Sequence, residues 1–366
     1  MKNVSPKEKR LKSGRISVKP FVYQIPSISA VSIRFIILLS IQIIMLALTK
    51  SYSALIVTLA AFIGAIAAAT VNHFVNKEQV YNFMNIAIQG IFIGLLLPES
   101  FPPFTAFIIS FATNVISRCI VFKSVNNWLN ISTVGIIIAW YVGKIYFPSF
   151  EVTSSLLSLR NTSTYLIENG NFPIYSFDSS ITSWVNRYIF NFFKVNIPEG
   201  YISLLWDTHS TIPAFRFNVI TIISAIIIFS DNAFSIVIPS LFLFVYGLLV
   251  RLFVPFLFGG YFNQGDIILA LLTSGMLFCA VFLIQWYGTI PVTYPGKVVL
   301  GIASGICAFY FVGCGTSPIG MAYTVLVTNI FSMIIRVFEE KHNEFTTGKV
   351  VTKYSAKIPL EQEGNK

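Results

Sequence analysis

Four ionisable side chains, Arg118, Lys144, Arg251 and Asp266, stand inside or at the edge of long apolar runs. A charge in hydrocarbon is costly, so each is by default a candidate for function or for a specific partner. Arg118 and Lys144 lie near enough to run ends for a long side chain to snorkel to the interface, as does Arg34, and Asp266 is placed for interfacial solvation. Arg251, flanked by Gly247-Leu-Leu-Val250 and Leu252-Phe-Val-Pro255, is the hardest of the set to explain structurally. No zinc-protease helix motif, phosphate-binding loop, nucleophile elbow or carboxylate pair occurs. The histidines, His73, His209 and His342, are far apart. His209 falls in Trp206-Asp-Thr-His-Ser-Thr211, which reads as a polar helix start, because Asp, Thr and Ser cap helices. Cys119, Cys279, Cys307 and Cys314 lie in or beside apolar runs with no C-x-x-C spacing, which points to small buried hydrophobes rather than metal ligands. A second group is neutral: Asn126-Asn127-Trp-Leu-Asn130, Pro291-Val-Thr293, and Ser317-Pro318-x-Gly320 followed by Asn329. Amides and hydroxyls at such places either hydrogen-bond a heterocyclic ligand or bond helix to helix.

The elements that must position these groups are membrane helices. Hydrophobic residues make up 55% of the 366-residue chain and charged residues 11%. From Val31 to Phe338 the sequence is a succession of runs of spanning length, broken once by a polar stretch. A hydrocarbon core about 30 Å thick needs roughly 20 apolar residues per helix. Ten spans are expected, near 32–50, 53–75, 82–98, 104–122, 128–148, 213–230, 233–257, 266–286, 297–313 and 318–338. The fold class is an all-α polytopic membrane protein, organised as a basic segment at 1–31, a membrane domain at 32–338 with a loop at 149–212, and a tail at 339–366. Lysine and arginine crowd both ends, which places both termini in the cytoplasm and the loop on the outer face of a bacterial inner membrane. Those basic ends suit anionic lipid headgroups, and no basic-aromatic module supports nucleic-acid binding. The N-terminus lacks the pattern of a cleavable signal peptide.

Five spans on each side of the loop suggest two inverted five-helix repeats with broken helices. Gly90-Ile-Phe-Ile-Gly-Leu-Leu-Leu-Pro98 echoes Gly275-Met-Leu-Phe-Cys-Ala-Val-Phe-Leu283 with Pro291 beyond. Gly and Pro at such places are expected to break a span and expose backbone groups to a ligand.

Several of these segments, in order and nearly throughout the chain, resemble the RnfD/NqrB family of membrane subunits of ion-pumping redox complexes. Gly94-Leu-Leu-Leu-Pro98 is similar to that family's apolar run ending in Leu-Pro. Asn127-Trp-Leu-Asn130 with Gly135 resembles its Asn-Ile-Phe-Asn-Pro-Ala-Leu-Val-Gly, with Arg118 where the family carries Lys. Leu271-Leu-Thr-Ser-Gly275 and Thr289-Ile-Pro-Val-Thr293-Tyr-Pro-Gly296 follow two further family segments at unbroken spacing, and Ser317-Pro-Ile-Gly320 with Asn329 follows a third.

The resemblance implies FMN joined through a phosphoester to a threonine in an outward-facing Ser-Gly-Ala-Thr motif, electron transfer through it, and coupling to Na⁺ or H⁺ movement. A non-covalent flavin, such as riboflavin, can also sit among the helices. The corresponding stretch here is Ser179-Ser180-Ile181-Thr182, with Ser183 following. It departs from the motif at Ser180, Ile181 and Ser183. Trp286 replaces an Asp of the family, Ile319 a Glu, and Lys123-Ser-Val-Asn126 a glycine-rich segment. Thr182, Ser180, Asn127, Asn130, Thr293 and Asn329 are therefore the candidate cofactor-binding residues. The implied partners are other membrane and peripheral subunits, and a flavin transferase for attachment, since the chain has no dinucleotide motif or Fe–S ligand set. The competing reading is a transporter or channel for a small solute, such as a flavin, on the same scaffold; a non-catalytic scaffold is the third.

Overall fold

The computed structural model describes residues 27–76, 80–117, 129–148, 172–194, 196–230, 234–257, 262–286, 288–313 and 318–355. Arg118, Asn127, Cys119, Cys314 and Ser317 lie outside the described residues.

Thirteen α-helices and no strands occur among the described residues. They are α1 Ile28–Leu48, α2 Tyr52–Asn76, α3 Val80–Leu96, α4 Pro103–Ile116, α5 Ile131–Gly143, α6 Asp178–Tyr188, α7 Tyr201–Trp206, α8 Asn218–Phe229, α9 Val237–Leu257, α10 Ile267–Thr273, α11 Met276–Phe278, α12 Tyr294–Ala308 and α13 Gly320–Ser355. Five helices (α1, α2, α9, α12 with the turn that extends it, and α13) are long and apolar enough to cross a membrane. Shorter apolar helices stand at Phe83–Leu96, Pro103–Ile116, Ile131–Tyr146 and Asn218–Phe229. Each of the ten expected spans has a helical counterpart. The protein is an all-helical polytopic membrane protein.

On α1, Ile33, Ile37, Ile41, Ile44 and Leu48 are exposed, while Phe35, Leu38, Leu39 and Leu46 are buried. A helix apolar all round, with one stripe packed and the other bare, is suited to lipid. Helix starts follow local chemistry. Ser27 accepts from the Ala30 N–H at 3.2 Å, Asp266 caps α10 through the Leu269 N–H at 2.9 Å, and Pro103 opens α4.

The connectors sort onto two faces. On one face, Arg216 bonds Ser51, the Glu99 N–H donates to the Thr211 carbonyl at 2.9 Å, Ser100 to the Tyr146 carbonyl at 2.9 Å, and Tyr201 to Asp266. On the other, Ser235 exchanges two hydrogen bonds with Gln285, and Glu339 and Arg336 hold the 288–293 connector. The chain therefore starts α1 and leaves the membrane portion of α13 at the same face.

The same packing scheme recurs in both halves. In the first, the first span touches the third, the second touches the third and fourth, and the fifth touches the third and fourth. In the second, α8 packs on the broken segment at 276–283, α9 on that segment and on α12, and α13 on that segment and on α12. With an odd number of crossings per half, the repeats run in opposite senses.

The two glycine-led runs differ in structure. α3 is unbroken through Gly90 and Gly94, because these glycines serve helix packing. A Cβ on Gly94 would lie 2.6 Å from the Thr58 Cα of α2, the close approach that small residues allow in membrane bundles. The second run does break. Gly275 has φ +71°, and a Cβ there would lie 2.1 Å from the Phe215 ring. Both backbone sterics and space therefore require glycine. Beyond α11 the chain continues as a π-helical turn, Cys279–Leu283, and a second such turn follows α12 at Phe309–Gly313.

Gly94→Ala is expected to destabilise the protein by about 1–3 kcal/mol through overpacking against the α2 backbone, read as an earlier thermal transition in detergent. Gly348→Ala, where nothing lies within 4 Å of the added Cβ, is expected to leave that transition unchanged or raise it.

Candidate functional site

The halves meet where α5 begins and the broken segment turns. Asn130, fully buried, caps α5: its Oδ1 accepts from the Ser132 N–H at 3.2 Å and from the Ser132 hydroxyl at 2.6 Å. Its amide nitrogen donates across the interface to the Leu283 carbonyl at 3.1 Å. Leu283 ends the π turn, where a widened helix leaves its carbonyls open to an outside donor. The Ser132 N–H also donates to the Gln89 Oε1 of α3 at 2.8 Å. One α3 side chain thus joins an orphan donor of the α5 N-terminus to the first half.

Beside this junction stands an aromatic cluster. Phe92 of α3 meets Trp286 at 5.3 Å and Phe278 at 6.1 Å between centroids, and Phe35 of α1 meets Trp286 at 6.0 Å. The position at which the family resemblance implies an Asp is here a core indole, 3% exposed.

Polar groups without partners stand on the helices that pack on α5. Gln89 Nε2 and Asn85 Oδ1 on α3, Ser110 Oγ and Asn114 Oδ1 on α4, and Thr328, Ser332 and both amide atoms of Asn329 on α13 are buried with no hydrogen bond. All three helices pack on α5. A buried amide left unpaired costs about 1–3 kcal/mol. Groups of this kind fit a hydrogen-bonding heterocycle or ordered water.

The predicted attachment residue has a different setting. Thr182 lies on α6, 4% exposed, and its hydroxyl donates to Asp178 Oδ1 at 2.9 Å. The Asp178 carboxylate also accepts from the Ser203 N–H and hydroxyl, both at 2.6 Å, and from the Gly200 N–H at 3.0 Å. Burial pushes this carboxyl up, but its hydrogen bonds from Ser203, Gly200 and Thr182 prevail and hold it below the ordinary carboxylate value. A phosphoester on Thr182 would need its oxygen free and a phosphate beside that anion. As packed, Thr182 does not fit covalent FMN. Ser180 is exposed on the far side of α6, away from the cavity that Thr182 lines.

The remaining candidates separate as well. The Thr293 hydroxyl caps α12 through the Gly296 N–H at 3.2 Å and bonds Glu339, which also accepts from the Val292 and Thr293 N–H groups at 2.9 and 3.0 Å. That is a clasp on the connector between α11 and α12. The structure therefore brings Asn130 to the junction and Asn329 onto a helix that packs there, and assigns Thr293, Thr182 and Ser180 to other places. Arg251 is explained locally: it donates to Asn263 Oδ1 at 2.9 Å and to the Gly265 carbonyl at 3.0 Å. Lys144 sits 5.6 Å from the Trp140 ring centroid. Of the cysteines described, Cys279 and Cys307 are free thiols.

Sequence reasoning missed three groups. Gln89 sits mid-run, where an amide in an apolar helix was the available signal. Glu339 follows the last residue of the final apolar run and reads as tail. Arg216 forms a bidentate pair with Asp207, Nε to Oδ1 at 3.0 Å and a terminal nitrogen to Oδ2 at 2.6 Å, with both residues buried.

The segment order, the paired halves and the amide-stitched junction can be set beside known proteins. Residues 15–344 match the NQR2, RnfD, RnfE family. The chain belongs to that family. It is a membrane subunit of the Rnf/Nqr type, a class that works in a lipid bilayer beside other subunits of its complex. No individually curated protein matches it.

Asn130→Ala removes a cap and leaves the Leu283 carbonyl unpaired, an expected loss of about 2–4 kcal/mol, measured as thermal stability in detergent. Asp178→Asn reads the linkage. A carboxyl whose folded pKa is depressed contributes stability above its unfolded value, near 3.8, and loses it as pH falls through the folded value. The variant is expected to be less stable than wild type at pH 7, and the gap to close below about pH 4, in protease-resistance measurements on the 172–217 segment.

Proposed function

We propose that this chain is an RnfD-type integral subunit of an ion-translocating electron-transport complex in the bacterial inner membrane. Both termini lie in the cytoplasm and the 149–212 loop on the outer face. It couples electron transfer to Na⁺ or H⁺ movement, and it holds FMN or riboflavin among its helices without a bond to Thr182. The observation that carries this reading is the set of unpaired buried amides and hydroxyls on α3, α4 and α13, the helices packed on α5. Gln89 Nε2 and the Asn329 amide would hold the flavin's polar edge, and the buried ring cluster of Phe35, Phe92, Phe278 and Trp286 would keep water from it. The flavin, when bound, supplies the electron chemistry. Electrons reach it from other membrane and peripheral subunits, since the chain carries no nicotinamide or iron–sulfur motif.

The second reading is a transporter for a small solute such as a flavin; the Thr182 hydroxyl, closed onto Asp178, speaks against covalent attachment and is compatible with both. The two readings differ in what the purified protein retains.

Native protein co-expressed with a flavin transferase is expected to show flavin absorbance that Asn329→Leu greatly reduces, and a dark band by in-gel fluorescence after denaturation. A fluorescent denatured band lost in Thr182→Ala would establish covalent FMN and overturn the non-covalent reading. Flavin-free native protein that drives flavin uptake into vesicles would establish the transporter instead.

A further inference from the structure

Helix α6 divides into three longitudinal faces. Asp178 and Thr182 are buried and Val185 is half-buried, and these face the body of the protein. At about 100° per residue, Ser179, Ser180, Ser183, Asn186 and Arg187 make a polar face. The third face is apolar yet bare: Ile181 is 41% exposed, Trp184 56% and Tyr188 63%. The chain continues past it with Ile189 and Phe192, 46% and 86% exposed. The side of α6 that meets protein is mainly polar, and its one apolar face is the one the protein leaves bare.

The depth of the helix is fixed by its neighbours. Thr182 and Val185 line a cavity of about 160 Å³ whose far wall is Ile268 and Leu272. Those residues form the first two turns of α10, where the chain enters the bilayer. α6 also packs on α7, which packs on α8 and α10. A helix alongside the first turns of a spanning segment stands near that segment's entry to the bilayer, within reach of the headgroups. Trp and Tyr concentrate at that level, because each has an apolar body and a polar tip. Cations stand beside them: the Arg187 guanidinium lies 5.5 Å from the Tyr188 ring centroid, and Lys194 is exposed one turn beyond. Both suit anionic headgroups.

We infer that α6 is an interfacial membrane helix, whose Ile181–Trp184–Tyr188 flank is seated in the headgroup and upper acyl region of the leaflet on that face. The bilayer surface is the occupant of this flank. The lipid clamp would also press the buried face of α6 onto α7, keeping the Ser203 bonds to Asp178 in place.

The test uses the full chain in nanodiscs of phosphatidylethanolamine and phosphatidylglycerol, with spin-labelled lipids as quenchers. The chain has five tryptophans, so the Trp184 signal is taken as wild type minus Trp184→Phe. That signal is expected to be quenched severalfold more by lipid labelled near the headgroup than by lipid labelled near the acyl terminus, and only weakly by aqueous iodide. A tryptophan moved to the polar face, Ser183→Trp with Trp184→Phe, is expected to reverse this and respond to iodide. Strong iodide quenching of Trp184 without lipid quenching would put the flank in water and overturn the inference. Quenching by neither would mean that protein covers it, and would overturn it equally. Should Trp184→Phe fold poorly, Tyr188→Trp in wild-type background adds a reporter on the same flank, with the same two outcomes.

Discussion

The fold depends on how the backbone is satisfied where helices stop inside hydrocarbon. A peptide group left bare there costs several kcal/mol, so every interrupted span needs a donor or acceptor from elsewhere. Asn130 answers two such needs with one amide. Its oxygen receives the Ser132 N–H in the first turn of α5, and its nitrogen reaches the carbonyl left open by the π turn at Leu283. Asn218 repeats the donor half of the device in the other repeat, donating to the Leu272 carbonyl at 3.0 Å, just before the chain turns at Gly275. Two broken elements are thereby tied to partners remote in sequence. The aromatic rings beside the junction fill the space that regular helix packing would otherwise occupy.

A second constraint acts at the surface where connectors meet. The Asp207–Arg216 pair is bidentate and removed from water, and such a pair needs good geometry to offset its desolvation. It has that geometry, plus a further bond from Arg216 to Ser51 at the α1–α2 turn. The pair therefore sets the start of α8 relative to the first half. At the opposite face Glu339 does similar work by a different route, gathering two backbone N–H groups and a hydroxyl.

Much of this was legible in the sequence, and the residues show why. The ten apolar runs found their helices because a spanning helix must be apolar for its whole length, whatever it packs against. The break at Gly275 was readable, since a positive φ there demands glycine. Gly90 looked the same in sequence and is structurally the opposite, because glycine serves close packing as readily as it serves a bend. Arg251 looked functional only because Asn263 and the Gly265 carbonyl come back to it in space. Thr182 was found by motif, yet its meaning turned on Asp178 four residues earlier, one helical turn away. That relation exists only once the stretch is a helix rather than a loop. Glu339 and Gln89 carried little signal of their roles, because their partners are fixed by tertiary packing alone.

The last helix has a consequence of scale. α13 runs for 36 residues without interruption, a length of about 54 Å at 1.5 Å per residue. The hydrocarbon accounts for about 30 Å of it. The remainder is a rigid strut standing off the membrane, continuous with the segment that carries Asn329 and rooted by Glu339 and Arg336 at the connector. A protein gripping its far end would be held at a set height above the lipid. Any tilt imposed there would be transmitted along the rod to the depth of the buried amides.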